Sequence, residues 1–231
     1  MVLIFIFLIP DFTLIEVYIC KKKCRMKPVY KAHPWHGISV GPDAPEVVTT
    51  FIEIVPSDTI KYEIDKESGF LKIDRPQKYS NIVPALYGFI PQTYCGDKVA
   101  EFAREKGATT IKVGDGDPLD ICVLSSHHIP HGDILLQAKP IGGFCFIDKG
   151  EADDKIIAVL TGDQIYGNFN DISELPGGVI EKLKHYFLTY KNLPGEPQHC
   201  EIAYEYGKEG AGEVIKKSME DYRDLIFNPL K

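Results

Sequence analysis

The sequence predicts an α+β, mainly β domain, an antiparallel barrel or sandwich followed by two helices. Seven short strand-like runs crowd between Val47 and Val159, punctuated by Gly and Pro. Downstream, Val179, Leu183, Tyr186 and Tyr190 recur on one helical face, and a second helical pattern runs from about Ala211 to Ile226. With 231 residues, 44% of them hydrophobic, the chain buries a proper core as a single domain without staples.

The N-terminus stands apart from that plan. Residues 2–9 (VLIFIFLI) are continuously apolar, but Pro10, Asp11 and Glu16 interrupt the run before Lys21-Lys22-Lys23. Basic residues that follow the apolar stretch, with no small-residue cleavage site, make a poor signal peptide. A membrane anchor is disfavoured by the acidic residue near its middle. The preferred reading starts translation at Met26, leaving residues 1–25 as an extension and 26–231 as the domain. Residues 32–231 carry 20 basic and 31 acidic residues, a formal net charge of −11 that repels nucleic acid and attracts cations.

VVTTFIEIV reads as the first strand. In IKYEI, Ile60, Tyr62 and Ile64 alternate with Lys61 and Glu63, giving one apolar and one charged face. FLKI follows. Between Cys95 and Lys112 a charged, Gly-flanked segment reads as a surface excursion with room for a short helix. DICVL, DILLQA, FCFI and KIIAVL complete the strands. Six cysteines show no Cys-x-x-Cys pair or zinc spacing, and Cys122 and Cys145 sit in apolar runs, which suits a reducing compartment.

KVGDGDPLDICV, residues 112–123, sets Asp115, Asp117 and Asp120 beside an apolar run. Neighbouring carboxylates raise one another's pKa, so the cluster requires open water or cations. Asp115 and Asp117 point to the same side of an extended chain, Pro118 bends the path, and the apolar run anchors the group. Both a solvated turn and a metal site fit this pattern. An EF-hand does not, because Asp120 stands where glycine belongs and Ser126 where glutamate belongs. The run FIDKGEADDK adds Asp148, Glu151, Asp153, Asp154 and Lys155 in a loop that, taken alone, reads as solvated. Tyr190 and Lys191 close the first helix, where a lysine also complements the helix dipole. His127, His128 and His131 have no carboxylate at a recognised spacing, which disfavours zinc.

In fixed order, IEI, IKYEIDKESG, DR, YGFIP, DGDPLDI, DKGEADDK and HYFLTYK resemble the family I soluble inorganic pyrophosphatases from about Ala32 to the last helix. The resemblance implies an OB-like five-stranded β-barrel with packed helices. It implies a cytoplasmic homo-oligomer that hydrolyses pyrophosphate to two orthophosphates with Mg2+, with no nucleic-acid partner and no stable membrane association. It further implies Asp115, Asp120, Asp148 and Asp153 as magnesium ligands, Asp120 being shared, and Glu63 at a further ion. Asp117 is implied as general base, and Lys61, Arg75, Tyr87, Tyr190 and Lys191 as pyrophosphate-binding groups. Lys155 and Glu53 support the site. Two departures stand out: Val83 replaces a tyrosine before Pro84, and the segment from Cys95 to Lys112 is longer than in compact bacterial members.

The chemistry is consistent with that resemblance. Pyrophosphate is a polyanion, hard carboxylates are what magnesium prefers, and cations suffice to neutralise a leaving phosphate. A non-catalytic cation-binding module would have no use for Arg75, Lys61 and Lys191 among its acids. A nucleic-acid-binding OB-fold conflicts with the acidic body.

Overall fold

The computed structural model describes residues 31–191, 195–196 and 200–227, so the expectation for residues 1–25 lies outside the described residues. In chain order the elements are β1 (Val48–Ile54), β2 (Ile60–Ile64), β3 (Leu71–Pro76), β4 (Leu86–Phe89), α1 (Asp97–Glu105), β5 (Val113–Gly114), β6 (Asp120–Leu124), β7 (Ile134–Asp148), β8 (Glu151–Ala152), β9 (Lys155–Leu160), α2 (Gly177–Thr189), β10 (Cys200–Gly207) and α3 (Lys208–Phe227). Five strands close into a ring in the order β1, β4, β6, β9 and β7, with β7 returning to β1. This is the OB-like barrel, and β2 and β3 form a separate hairpin beside it. Closure leaves no unpaired edge among the five.

Register gathers chemistry at one rim. The pairing of β6 with β9 is parallel and sets Asp120 beside Lys155, while β4 sets Phe89 beside Asp120. On the other side β10 sets Cys200 beside Asp148. The first residues of β6, β9 and β10 and the last of β7 therefore share that rim.

Both faces of β6 are buried, which explains why its sequence is continuously apolar. Ile121 and Val123 join a cluster with Ala211, Val214 and Ile215 of α3. Cys122 and Leu124 join another, with Leu183, Tyr186 and Phe187 of α2. Val83 is fully buried in that second cluster, so its side chain packs the core.

Three features differ from the sequence reading. DILLQA and FCFI are one strand, β7, because Pro140 and Gly142 mark an irregularity in its pairing with β9 where the sequence suggested a break. The segment after Cys95 is more than an excursion: Val99, Ala100 and Ala103 of α1 are buried with Cys145, Ile147 and Ala152 of the sheet. Asp221 of α3 holds the start of α1, accepting from the backbone N–H groups of Gly96, Lys98 and Val99 at 3.0–3.1 Å. Finally, β10 follows α2 in a stretch that was not read as a strand.

Candidate active site

A cavity of about 250 Å³ opens at the rim where Asp120 begins β6, Asp148 ends β7 and Lys155 begins β9. All of the residues implied for the site line it: Glu53, Lys61, Glu63, Arg75, Tyr87, Asp115, Asp117, Asp120, Asp148, Asp153, Lys155, Tyr190 and Lys191. The barrel supplies the floor. Asp120 opens β6, and its Oδ2 accepts from the Tyr87 hydroxyl of β4 and from the Lys155 ammonium of β9. Lys155 also donates to Asp153 Oδ1, with its side chain only 2% exposed. Burial alone would lower the Lys155 pKa, but Asp120 and Asp153 outweigh it and hold the ammonium charged.

That single buried cation leaves the floor short of positive charge. Asp115 is pushed well above the ordinary carboxylate range by burial and by the neighbouring Asp153. Burial likewise raises Asp153, with Lys155 opposing. Oxygen donors crowded in this way have the chemistry of a hard-cation site. Among the described residues no three His, Cys, Asp or Glu side chains already close around one point as a finished cage. Lysine ammoniums stand between them instead, on Asp117, Asp120, Asp148 and Asp153.

The walls bring further cations, each paired with an acid. Asp148 ends β7 and accepts from Lys191, while the Cys200 thiol lies 3.5 Å from its Oδ1. Burial would raise Asp148, but Lys191 holds its pKa below the usual value. Tyr190 is the residue after α2, within 5.1 Å of the Lys191 ammonium and 6.0 Å of the Arg75 guanidinium, measured to the ring centre. From the hairpin, Lys61 donates to Glu63 and to Asp74, both at 3.0 Å, and Arg75 donates to the same Asp74. Glu53 lies behind, its Oε1 accepting from the Ile64 N–H at 2.7 Å. Its burial pushes the carboxyl up to about 8.

Some residues of the cleft were not singled out from the sequence. Lys66 lines the cavity, and Asp74 ties Lys61 to Arg75. Lys66 and Asp74 lie within the quoted segments IKYEIDKESG and DR, so the signal was present without a role attached to it. The solvated reading of the 148–155 run is corrected. Lys149 and Gly150, both at positive φ, make a tight turn, and beyond it Asp154 is 2% exposed, with the Tyr206 hydroxyl on its Oδ1 at 2.8 Å. Burial pushes Asp154 up to about 7. His127, His128 and His131 are exposed in a loop outside the cavity.

Comparison with known proteins places this cleft in context. Residues 50–223 match the inorganic pyrophosphatase family. An inorganic pyrophosphatase of Chlamydia trachomatis serovar D is 52% identical over 205 residues, covering 87% of this chain and 98% of that protein. A soluble inorganic pyrophosphatase of Zea mays is 36% identical, covering 87% of this chain and 84% of its own length. The crystal structure of the Thermus thermophilus inorganic pyrophosphatase superposes with a TM-score of 0.69 at 28% identity, covering 84% of this chain and 99% of that one.

Proposed function

The chain belongs to the inorganic pyrophosphatase family, and from that membership we propose that it hydrolyses pyrophosphate to two orthophosphates with Mg2+ in the acidic cleft. One observation carries the assignment to this cleft: Asp115, Asp117 and Asp120 face a single cavity together with Lys61, Arg75 and Lys191. An acid cluster alone would suit a cation buffer, and a basic wall alone would suit an anion binder. Their apposition suits a metal-complexed polyanion.

Asp115, Asp120, Asp148 and Asp153 would hold magnesium, with Glu63 at a further ion, and the metal would supply Lewis-acid charge neutralisation and acidify the attacking water. Lys155 offsets part of the charge of Asp120 and Asp153 from below, and Tyr87 fixes the plane of the Asp120 carboxylate. Asp117, whose side chain is 45% exposed at the cavity mouth, takes the proton of the attacking water. The water oxygen bonds to one phosphorus and the bridging P–O bond breaks. The electron pair leaves with the second orthophosphate, whose charge Lys61, Arg75 and Lys191 neutralise while Tyr190 bounds the pocket.

The domain is residues 26–231, with 1–25 as an extension, and the setting is a cytoplasmic homo-oligomer. The free, buried Cys95, Cys122, Cys145 and Cys200 support a reducing compartment. Among the described residues no helix is long and apolar enough to cross a membrane.

Orthophosphate release from pyrophosphate tests the reading. Turnover is expected with Mg2+ and not with Ca2+, whose larger radius tolerates looser geometry than a tight clamp permits. Equal turnover with calcium, or full activity in excess chelator, would overturn it.

A further inference from the structure

The turn between β2 and β3, from Asp65 to Phe70, is fixed by its own hydrogen bonds. The Asp65 N–H donates to the Phe70 carbonyl at 2.8 Å and the Gly69 N–H to the Asp65 carbonyl at 2.7 Å. The Asp65 carboxylate accepts from the Ser68 N–H at 2.9 Å and from the Ser68 hydroxyl at 2.6 Å. It is also held from outside. His33 Nδ1 accepts from the N–H groups of Trp35 and His36 at 3.2 and 3.3 Å. That assigns the ring proton to Nε2, which donates to the Lys66 carbonyl at 3.2 Å. Gly69 sits at φ +73°, where a side chain would meet His33 and Pro34 at 2.8 Å, so the imidazole seats directly on the turn.

With its backbone pinned at both carbonyl and turn, Lys66 sends its side chain into the cavity and donates to Asp117 Oδ1. We infer that Lys66 is a positioning residue for Asp117, a role that rests on the reading of Asp117 as general base. A carboxylate on a loop rotates freely about its terminal torsion, which has no sharp preferred angle. A general base must present one oxygen to the water at hydrogen-bond distance. The Lys66 ammonium takes Oδ1, fixes the carboxylate plane and leaves Oδ2 for the water.

Steady-state orthophosphate release with Mg2+ tests this in the full chain and in Lys66→Gln, Lys66→Arg, Asp117→Asn, Ser68→Ala and the double variant Lys66→Gln/Asp117→Asn, with thermal melts alongside. Lys66→Gln should lower kcat about tenfold with KM changed less than about threefold, the signature of an interaction acting on the chemical step. Lys66→Arg should recover most of that loss. The double variant should be no slower than Asp117→Asn alone, because a residue that acts through Asp117 has nothing further to lose. Ser68→Ala loosens the turn without touching Asp117, so it should lower the melting temperature more than kcat.

Four results would overturn the role. They are a Lys66→Gln kcat within about twofold of the unsubstituted chain, a raised KM at unchanged kcat, multiplied losses in the double variant, or a Ser68→Ala loss of kcat equal to that of Lys66→Gln. Absence of turnover in the unsubstituted chain would overturn the reaction itself and this role with it. Failure confined to the Lys66 variants would leave the reaction standing.

Discussion

Two acid sites in this protein, one buried and one half-buried, are satisfied in opposite ways. Asp163, 4% exposed at the loop after β9, accepts from the N–H groups of Ser126, Ile165 and Tyr166 and from the hydroxyls of Ser125 and Ser126, at 2.7–3.1 Å. The backbone completes it, and it ties two loops together. Asp115, Asp120 and Asp153 face one another with Lys155 as their buried counter-charge. They are incomplete without further positive charge. An acid enclosed by backbone donors stabilises the fold, whereas acids pressed against one another cost stability unless a cation joins them.

The largest effect that would sharpen this contrast is on turnover. Asp120→Ala removes the carboxylate that both Tyr87 and Lys155 hold, and should lower pyrophosphate turnover about a thousandfold or more, ~4 kcal/mol of barrier, with the fold retained. A loss under about tenfold in a phosphate-release assay would show that the floor carboxylate is not central to the chemistry.

Asp163→Ala should do the reverse. It leaves three backbone N–H groups without their acceptor, which costs about 2 kcal/mol. The melting temperature should fall by roughly 4–8 °C for a domain of this size, while turnover per folded molecule stays put. A melting curve unchanged from that of the native chain would break the comparison.

pH refines that prediction. Burial would raise the Asp163 pKa, but the N–H groups of Ser126, Tyr166 and Ile165 and the Ser125 hydroxyl outweigh it and hold the carboxyl well below its ordinary value. A carboxyl depressed in the folded state contributes its stability in full above the unfolded value of about 3.9 and loses it as pH falls toward the folded one. The melting-temperature gap between the native chain and Asp163→Ala should therefore be constant from about pH 7 to 5 and shrink below about 4. A gap that widens in acid would contradict the assignment.

The smallest effect belongs to Asp154, an acid that adjoins the site without lining it. Asp154→Asn keeps an oxygen for the Tyr206 hydroxyl and should leave turnover within about tenfold. A loss as deep as that of Asp120→Ala would place Asp154 in the chemistry.

What the sequence made legible follows from the range of the physics involved. Alternation in IKYEI and the buried run DICVL are local patterns, and they placed β2 and β6. The helical spacing of Val179, Leu183 and Tyr186 placed α2, whose last residue is Thr189. The unity of β7 was hidden because Pro140 and Gly142 carry the same local signal in a bulge as in a turn. The burial of Asp154 was hidden for a related reason: its partner Tyr206 lies 52 residues away, and charge alone reads as exposure. Motif order assembled the acids and most of the basic wall. It gave no role to Lys66 or Asp74, whose contacts depend on how the β2–β3 hairpin stands over the cleft, with a register shift between Lys61 and Tyr62.

The contrast between the two groups of acids is tested most directly by calorimetric titration of Mg2+ into the native chain, Asp120→Asn and Asp163→Asn, because heat of binding reports the cation site apart from turnover. The account predicts binding to the native chain, affinity at least about tenfold weaker in Asp120→Asn, a change of ~1.4 kcal/mol, and unchanged affinity in Asp163→Asn. Equal affinity in all three proteins, or no binding to the native chain, would contradict it.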